Sequence, residues 1–219
     1  MLKQLLLVVA GLALLAGCGS SAKPSASSDN PSTSASSVPG GDAATSPSAT
    51  TAPPCGAAPK NVTPTASIQT NFGCIIVQLD TAHAPKAAGR FISLAKAGFY
   101  NGLTFHRVVP DFVIQGGDPK GDGTGGSGKP AGVGEVPTDG YPLGSLAAAK
   151  TGTDPDGTFD CQFFIVTGQA GTQLPNQYAR FGKVVVGMDV AKKIEGLAPG
   201  GDGPPTQKVT MVKVTVAGA

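Results

Sequence analysis

The sequence predicts a mainly β domain, a closed or nearly closed antiparallel barrel carrying two short helices. Three observations support this. Short runs rich in β-branched and aromatic residues recur from about Ala66 to Val216, glycine-rich turns separate them, and only two windows show the period of an amphipathic helix.

The first element, "ASIQTNFGCIIVQLD", alternates on either side of Asn71-Phe72-Gly73. A residue tolerant of positive φ and a glycine between two β-rich runs predict a hairpin. "APKAAGRFISLAKAG" then changes period: Ala88, Phe91, Leu94 and Ala95 fall at helical spacing, Pro85 suits the first turn and Gly98 suits the stop. "LTFHRVV" and "FVIQGG" predict two strands joined through Pro110-Asp111, a type I turn pair. "SLAAA", "QFFIVT" and "FGKVVVG" supply further short strands, and "DVAKKIEGL" a second helix. The final run "QKVTMVKVTV" alternates, but its phase slips near Val212, which predicts a bulge.

The N-terminus lies outside this domain. Lys3 precedes a twelve-residue apolar run, Leu5 to Ala16, too short for a membrane span of about 20 residues and suited to a secretory signal. It ends in Leu15-Ala16-Gly17-Cys18, which resembles the lipobox of bacterial lipoproteins. That resemblance implies a signal peptide over residues 1–17, lipidation of Cys18, and an extracytoplasmic protein held at the bacterial cell membrane by its acyl chains. Residues 18–58 are dominated by Ser, Ala, Thr, Pro and Gly without an aromatic residue, a composition that cannot offset the entropy of ordering. They read as a disordered tether whose reach is roughly 30 to 35 Å.

Residues 59–219 hold all nine phenylalanines and three tyrosines and make one domain. The formal charge is +2, and loss of Lys3 with the signal leaves a nearly neutral protein, so a nucleic-acid surface is not supported. Beyond Cys18 there are Cys55, Cys74 and Cys161. An oxidising compartment permits one disulfide, and Cys55 with Cys74 would pin the tether to the domain; the sequence alone leaves the pairing open.

The stretch "FHRVVPDFVIQGGDP", Phe105 to Pro119, followed by "GTGG", "QFFIVT" and "FGKVVVG", closely resembles the cyclophilin peptidyl-prolyl cis-trans isomerases over about Ala66 to Val216. The resemblance implies an eight-stranded antiparallel barrel capped by two helices, proline-containing polypeptides as clients, a monomer, and neither cofactor nor metal. It implies Arg107, Gln115 and Phe112 as catalytic residues, with Arg107 donating to the substrate proline nitrogen and Gln115 orienting it. Strand alternation puts Val113 and Gln115 on one face. Val113, Phe164, Leu174 and Tyr178 would complete the proline socket with Phe112. Gln162 would contact substrate, Ala149 and Lys150 would hold it through their backbone, and Gly123 would line the adjacent pocket. Arg107, Gln115 and Phe164 together favour an enzyme over a module that only holds proline segments.

Gln173 also falls at a substrate-binding position, and three residues of that set depart from many eukaryotic members: Gln173 replaces a tryptophan, Tyr178 a histidine and Val113 a methionine. About three extra residues lie between Ala149 and Gln162. Cyclosporin is the ligand the resemblance implies for the groove, with reduced affinity expected from Gln173. His106 reads as a buried, hydrogen-bonded structural residue, since isomerisation moves no proton. Phe163 reads as core and His83 as exposed. "GTGGSGK", Gly123 to Lys129, lacks the hydroxyl residue and helix of a phosphate loop. "DPDGTFD", Asp154 to Asp160, reads as a solvated turn rather than a calcium site.

Overall fold

A computed structural model describes residues 54–219. The signal segment, Cys18 and the tether up to residue 53 lie outside the described residues. Eight strands close into an antiparallel barrel: β1 Thr65–Thr70, β2 Gly73–Leu79, β3 Thr104–Val109, β4 Val113–Asp118, β6 Ser145–Ala148, β8 Phe163–Val166, β9 Arg180–Val186 and β10 Val209–Ala217. Their order around the barrel is β1, β10, β3, β4, β8, β6, β9, β2. β5 Gly132–Val133 and β7 Thr158–Phe159 pair separately as a small second sheet.

α1 spans Pro85–Lys96, starting on its proline and followed by Gly98 at φ +74°. Its buried stripe is Ala87, Ala88, Phe91, Leu94 and Ala95. Phe91 stacks on Tyr100 at 4.9 Å between ring centroids and meets Phe163 edge-on at 5.6 Å, so the helix is sealed to the barrel by aromatic contact. α2 spans Met188–Glu195 and contributes Ala191 and Ile194 to the same core.

Three local expectations change or sharpen. At the first hairpin Thr70 pairs with Gly73, leaving Asn71-Phe72 as a two-residue turn. Gly73 takes the positive φ, +137°, and Asn71 does not. Asn71 instead ties the turn to β10, accepting from Thr210 N at 2.8 Å and donating to Lys208 O at 2.9 Å. The Pro110-Asp111 turn is not type I, because Asp111 sits at φ +53°. At β10 the register passes from Gln69 opposite Lys213 to Thr70 opposite Met211, so Val212 is the unopposed bulge residue. Cys55 and Cys74 form the disulfide; Cys161 is free and buried, and burial pushes its thiol pKa up to about 12.

β8 explains how the barrel carries a site on its outer wall. All four of its residues are buried, but they serve two clusters: Phe163 and Ile165 enter the barrel core, while Phe164 and Val166 join Val113, Tyr141 and Ala147 in a second cluster. A strand covered on both faces has a continuous apolar run instead of alternation.

Candidate active site

The site grows from a defect in β3. Phe105 and Val108 are both wholly buried although they stand three residues apart. Strict alternation would send Arg107 to the same side as Phe105. The register resolves this: Phe105 faces Gly116 and Arg107 faces Gln115, so His106 is an extra residue on β3 and the strand is re-aimed. Gly117 lies opposite this irregular segment at φ +87°, and a Cβ there would meet Cys161 O at 2.7 Å, which explains the glycine.

Arg107 Nη1 donates to Gln115 Oε1 at 3.0 Å, and Gln115 Nε2 donates to Gln162 Oε1 at 3.0 Å. Gln162 Nε2 donates to Gly123 O and Gly125 O, both at 3.0 Å. The loop that presents those carbonyls wraps around Asp118, whose carboxylate accepts from the backbone N–H groups of Lys120, Asp122 and Gly123. A Cβ on Gly125 would lie 1.9 Å from Asp118 Oδ1, so the loop must pass this carboxylate without a side chain. On the other side of Arg107, Asp202 accepts from Nε at 2.7 Å and from Nη2 at 2.6 Å.

The apolar half of the site comes from the turn before β4 and from β8. Asp111 N donates to Glu195 Oε1 at 2.6 Å, and Asp111 Oδ1 accepts from Gln169 N at 2.7 Å. The Phe112 carbonyl accepts from Thr167 N and Gly168 N. These contacts immobilise Phe112. Phe164, 5% exposed, meets Tyr178 edge-on at 5.4 Å. Tyr141 fixes Tyr178 by accepting from its N–H at 2.9 Å and donating to its carbonyl at 2.8 Å.

Phe112, Val113, Phe164, Leu174 and Tyr178 thus line one small cavity of about 90 Å³, whose remaining wall is Arg107, Gln115, Ala149 and Lys150. The Lys150 side chain is only 3% exposed; Nζ donates to Asp154 O at 3.1 Å and lies 5.5 Å from the centre of the Tyr178 ring. Gly123 and Gln162 line an adjoining groove of about 370 Å³ that shares Gln115, Ala149 and Lys150 with the socket. Gln173 lines neither; it is exposed at the end of a 3-10 turn, Ala170–Gln173, with Nε2 on Thr172 Oγ1 at 3.1 Å. A larger groove of about 550 Å³ passes Asp80, His83 and Arg180 and shares no residue with the socket.

His106 is buried, and neither ring nitrogen has a partner at ordinary hydrogen-bond geometry, the backbone of Thr104 offering only a weak contact; burial, opposed in part by Asp118, lowers its pKa. His83 is exposed, with Nδ1 2.9 Å from Asp80 Oδ1. The carboxylates of "DPDGTFD" disperse. Asp154 accepts from Thr151 N, Asp156 lies 3.9 Å from Lys150, and Asp160 binds Arg90 and Ser127. Sequence reasoning missed Asp118, Tyr141, Glu195 and Asp202. Only Asp118 carried a local signal, as a carboxylate ending an apolar strand.

The site thus combines a closed barrel, an apolar socket on its wall and an amide-braced arginine at the rim. Residues 65–216 match the model of the family described as cyclophilin type peptidyl-prolyl cis-trans isomerase/CLD. The chain is similar to peptidyl-prolyl cis-trans isomerase ppi1 of Schizosaccharomyces pombe, 36% identical, covering 67% of this chain and 94% of that one. It is similar to the human peptidyl-prolyl cis-trans isomerase-like 1, 35% identical, covering 71% and 93%. A cyclophilin type isomerase of Cryptosporidium parvum, solved in the presence of the dipeptide Ala-Pro, superposes with a TM-score of 0.63 at 28% identity, covering 71% of this chain and 99% of that one. The chain belongs to the cyclophilin-type peptidyl-prolyl cis-trans isomerase family.

Proposed function

We propose that this isomerase is a lipid-anchored, extracytoplasmic enzyme that accelerates rotation about X-Pro bonds in exported or membrane-proximal polypeptides, with Arg107 as the group that acts on the amide. The observation that carries the site assignment is the placement of Arg107, held by Gln115 at 3.0 Å, on the wall of the socket made by Phe112, Val113, Phe164 and Leu174.

The barrier to rotation is about 18–20 kcal/mol because the nitrogen lone pair is delocalised into the carbonyl. No bond breaks, so neither nucleophile nor proton transfer is called for. At the twisted geometry the proline nitrogen is pyramidal and its lone pair accepts a hydrogen bond, which the planar amide nitrogen does poorly. A donor at that nitrogen therefore binds the transition state better than either ground state, the condition for lowering the barrier. Guanidinium stays charged at all working pH values and keeps its donors in a fixed plane. The socket grips the proline ring while Gln115, Gln162 and the backbone of Ala149 and Lys150 hold the flanking chain, so rotation is confined to one bond. The presence of Ala-Pro with the Cryptosporidium parvum relative supports the same class of ligand here.

The membrane context is supported by Leu15 to Cys18 and by the composition of the tether. Uncatalysed X-Pro isomerisation takes tens to hundreds of seconds, slow enough to limit folding of an exported chain. Two measurements test the reading. Purified protein should accelerate isomerisation of a short X-Pro peptide in a protease-coupled assay, whereas peptide binding with no acceleration would leave only a binding module. In cells, Cys18→Ser should abolish fatty-acid labelling and membrane fractionation; unchanged labelling would remove the lipid anchor.

A further inference from the structure

We propose that Asp202 is a positioning residue for Arg107, a role that builds on the assignment of Arg107 above. Asp202 comes from a loop, far from Arg107 in sequence, and the fold delivers it by backbone pairing. Val108 N donates to Gly203 O at 2.8 Å and Gly203 N donates back to Val108 O at 3.3 Å, laying residue 203 against β3 immediately beside Arg107. Thr206 N donates to Leu197 O at 2.8 Å and closes the neck of the loop.

The geometry of the ion pair is that of a clamp. A guanidinium carries five N–H donors in one plane. Asp202 takes Nε and Nη2 at 2.7 and 2.6 Å, the two parallel donors of one edge, and Gln115 takes one donor of Nη1. A bidentate carboxylate fixes both the position and the plane of the group. One N–H on each Nη stays available for an incoming acceptor. Gln115 alone, with one contact to Nη1, leaves the guanidinium free to swing about that contact. Asp202 removes this freedom before substrate arrives, and a donor held in place is worth more to the reaction than one that must be ordered in it.

The pair is not a device for stability. The side chains are 34% and 54% exposed, and ion pairs in such surroundings add little to folding. Its value lies in the orientation it imposes.

Four variants test this: Asp202→Ala, Asp202→Asn, Arg107→Ala and the double Arg107→Ala/Asp202→Ala. Asp202→Ala should lower kcat/KM about three- to tenfold through kcat, since about 1 Å of misplacement is costly, while peptide affinity and Tm stay near wild type. Asp202→Asn should remain impaired, because its NH2 faces a guanidinium N–H. In the Arg107→Ala background, removal of Asp202 should cost nothing further. The Arg107 Nε–H NMR signal, sharp in the wild type, should broaden through exchange in Asp202→Ala. Acceleration by the wild-type chain is the control: its absence removes the isomerase reading itself. Wild-type acceleration with an unimpaired or faster Asp202→Ala variant overturns only the assignment of Asp202, as does a loss that persists in full without Arg107.

Discussion

Gln115 donates from Nε2 to Gln162 Oε1 at 3.0 Å, and this contact agrees with the donor-only guanidinium on which end of Gln115 meets Arg107. A primary amide has one accepting and one donating end. Gln162 spends its donors on two backbone carbonyls, Gly123 and Gly125, which only accept. Its oxygen is left for Gln115, whose own oxygen is left for Arg107, which only donates. The ends of the relay have opposite sign, so both amides are locked in one orientation.

Gln162→Ala should therefore act on Arg107 at a distance. Without Gln162 the amide of Gln115 is braced at one end only, by Arg107 itself, and is free to swing away from the position that holds the guanidinium. A loss of roughly three- to tenfold in kcat/KM is expected from misorientation of this kind. Gln162→Glu should be worse at neutral pH, because a carboxylate cannot donate to the Gly123 and Gly125 carbonyls. Steady-state kinetics on one X-Pro peptide check both, and wild-type rates in Gln162→Ala would show that the relay does not govern Arg107.

Arg107→Ala should lower kcat/KM by at least about tenfold, equivalent to about 1.4 kcal/mol of transition-state stabilisation. Arg107→Lys should also be impaired, since a point charge offers no planar fork for Asp202 and Gln115. Thermal stability should move little, because the group is partly exposed and ion pairs of this kind contribute about 0–1 kcal/mol. A variant with wild-type activity would mean that another group supplies the donor.

The barrel was legible because its evidence is local. Strand runs, the α1 stripe of Ala88, Phe91, Leu94 and Ala95, and the Val212 bulge each follow from residues adjacent in the chain. The expected turn at Asp111 failed for the opposite reason: its conformation is set from afar by Glu195, Gln169 and Ala170. Arg107 and Asp202 are 95 residues apart, and nothing in "GGDGPP" announces that its carboxylate will find a guanidinium. The β3 bulge was also hidden. "TFHRVV" reads as a simple alternating strand, and only the burial of both Phe105 and Val108 exposes the extra residue.

His106 should make the protein lose stability on mild acidification. Burial lowers its folded pKa below the unfolded value of about 6.5. The folded state then binds the proton less well than the unfolded chain, so the stabilisation is complete above about pH 6.5 and is lost as pH falls from there through the folded pKa. Asp202 and Asp139 also have lowered pKa values, each through an arginine hydrogen bond, but they act below the ordinary aspartate range and in a separate window. His106→Phe should flatten the Tm profile below about pH 6.5. It should be tolerated at pH 7, since neither ring nitrogen gives up a hydrogen bond of ordinary geometry. An unchanged slope in the variant would assign the acid sensitivity elsewhere.

Gln173 is expected to separate substrate binding from that of cyclosporin, the ligand that the family resemblance implies for this groove. Many sensitive members carry an indole at this position, which supplies an N–H donor and a broad apolar face. Gln173 is exposed beside Leu174, its amide turned to Thr172 Oγ1, and it takes no part in the wall of the proline socket. Replacing the missing indole should restore roughly 40 to 80 Å² of apolar contact with a large ligand, worth on the order of 1 to 2 kcal/mol at about 25 cal/mol per Å². Gln173→Trp is therefore expected to bind cyclosporin about five- to thirtyfold more tightly than the wild type. Turnover of a short X-Pro peptide should hardly change, because Phe112, Val113, Phe164 and Leu174 are untouched. Titrating cyclosporin into the isomerisation assay of both proteins measures the two quantities together. Equal inhibition constants would show that Gln173 does not set the sensitivity, and a parallel change in peptide turnover would place residue 173 inside the substrate path instead of beside it.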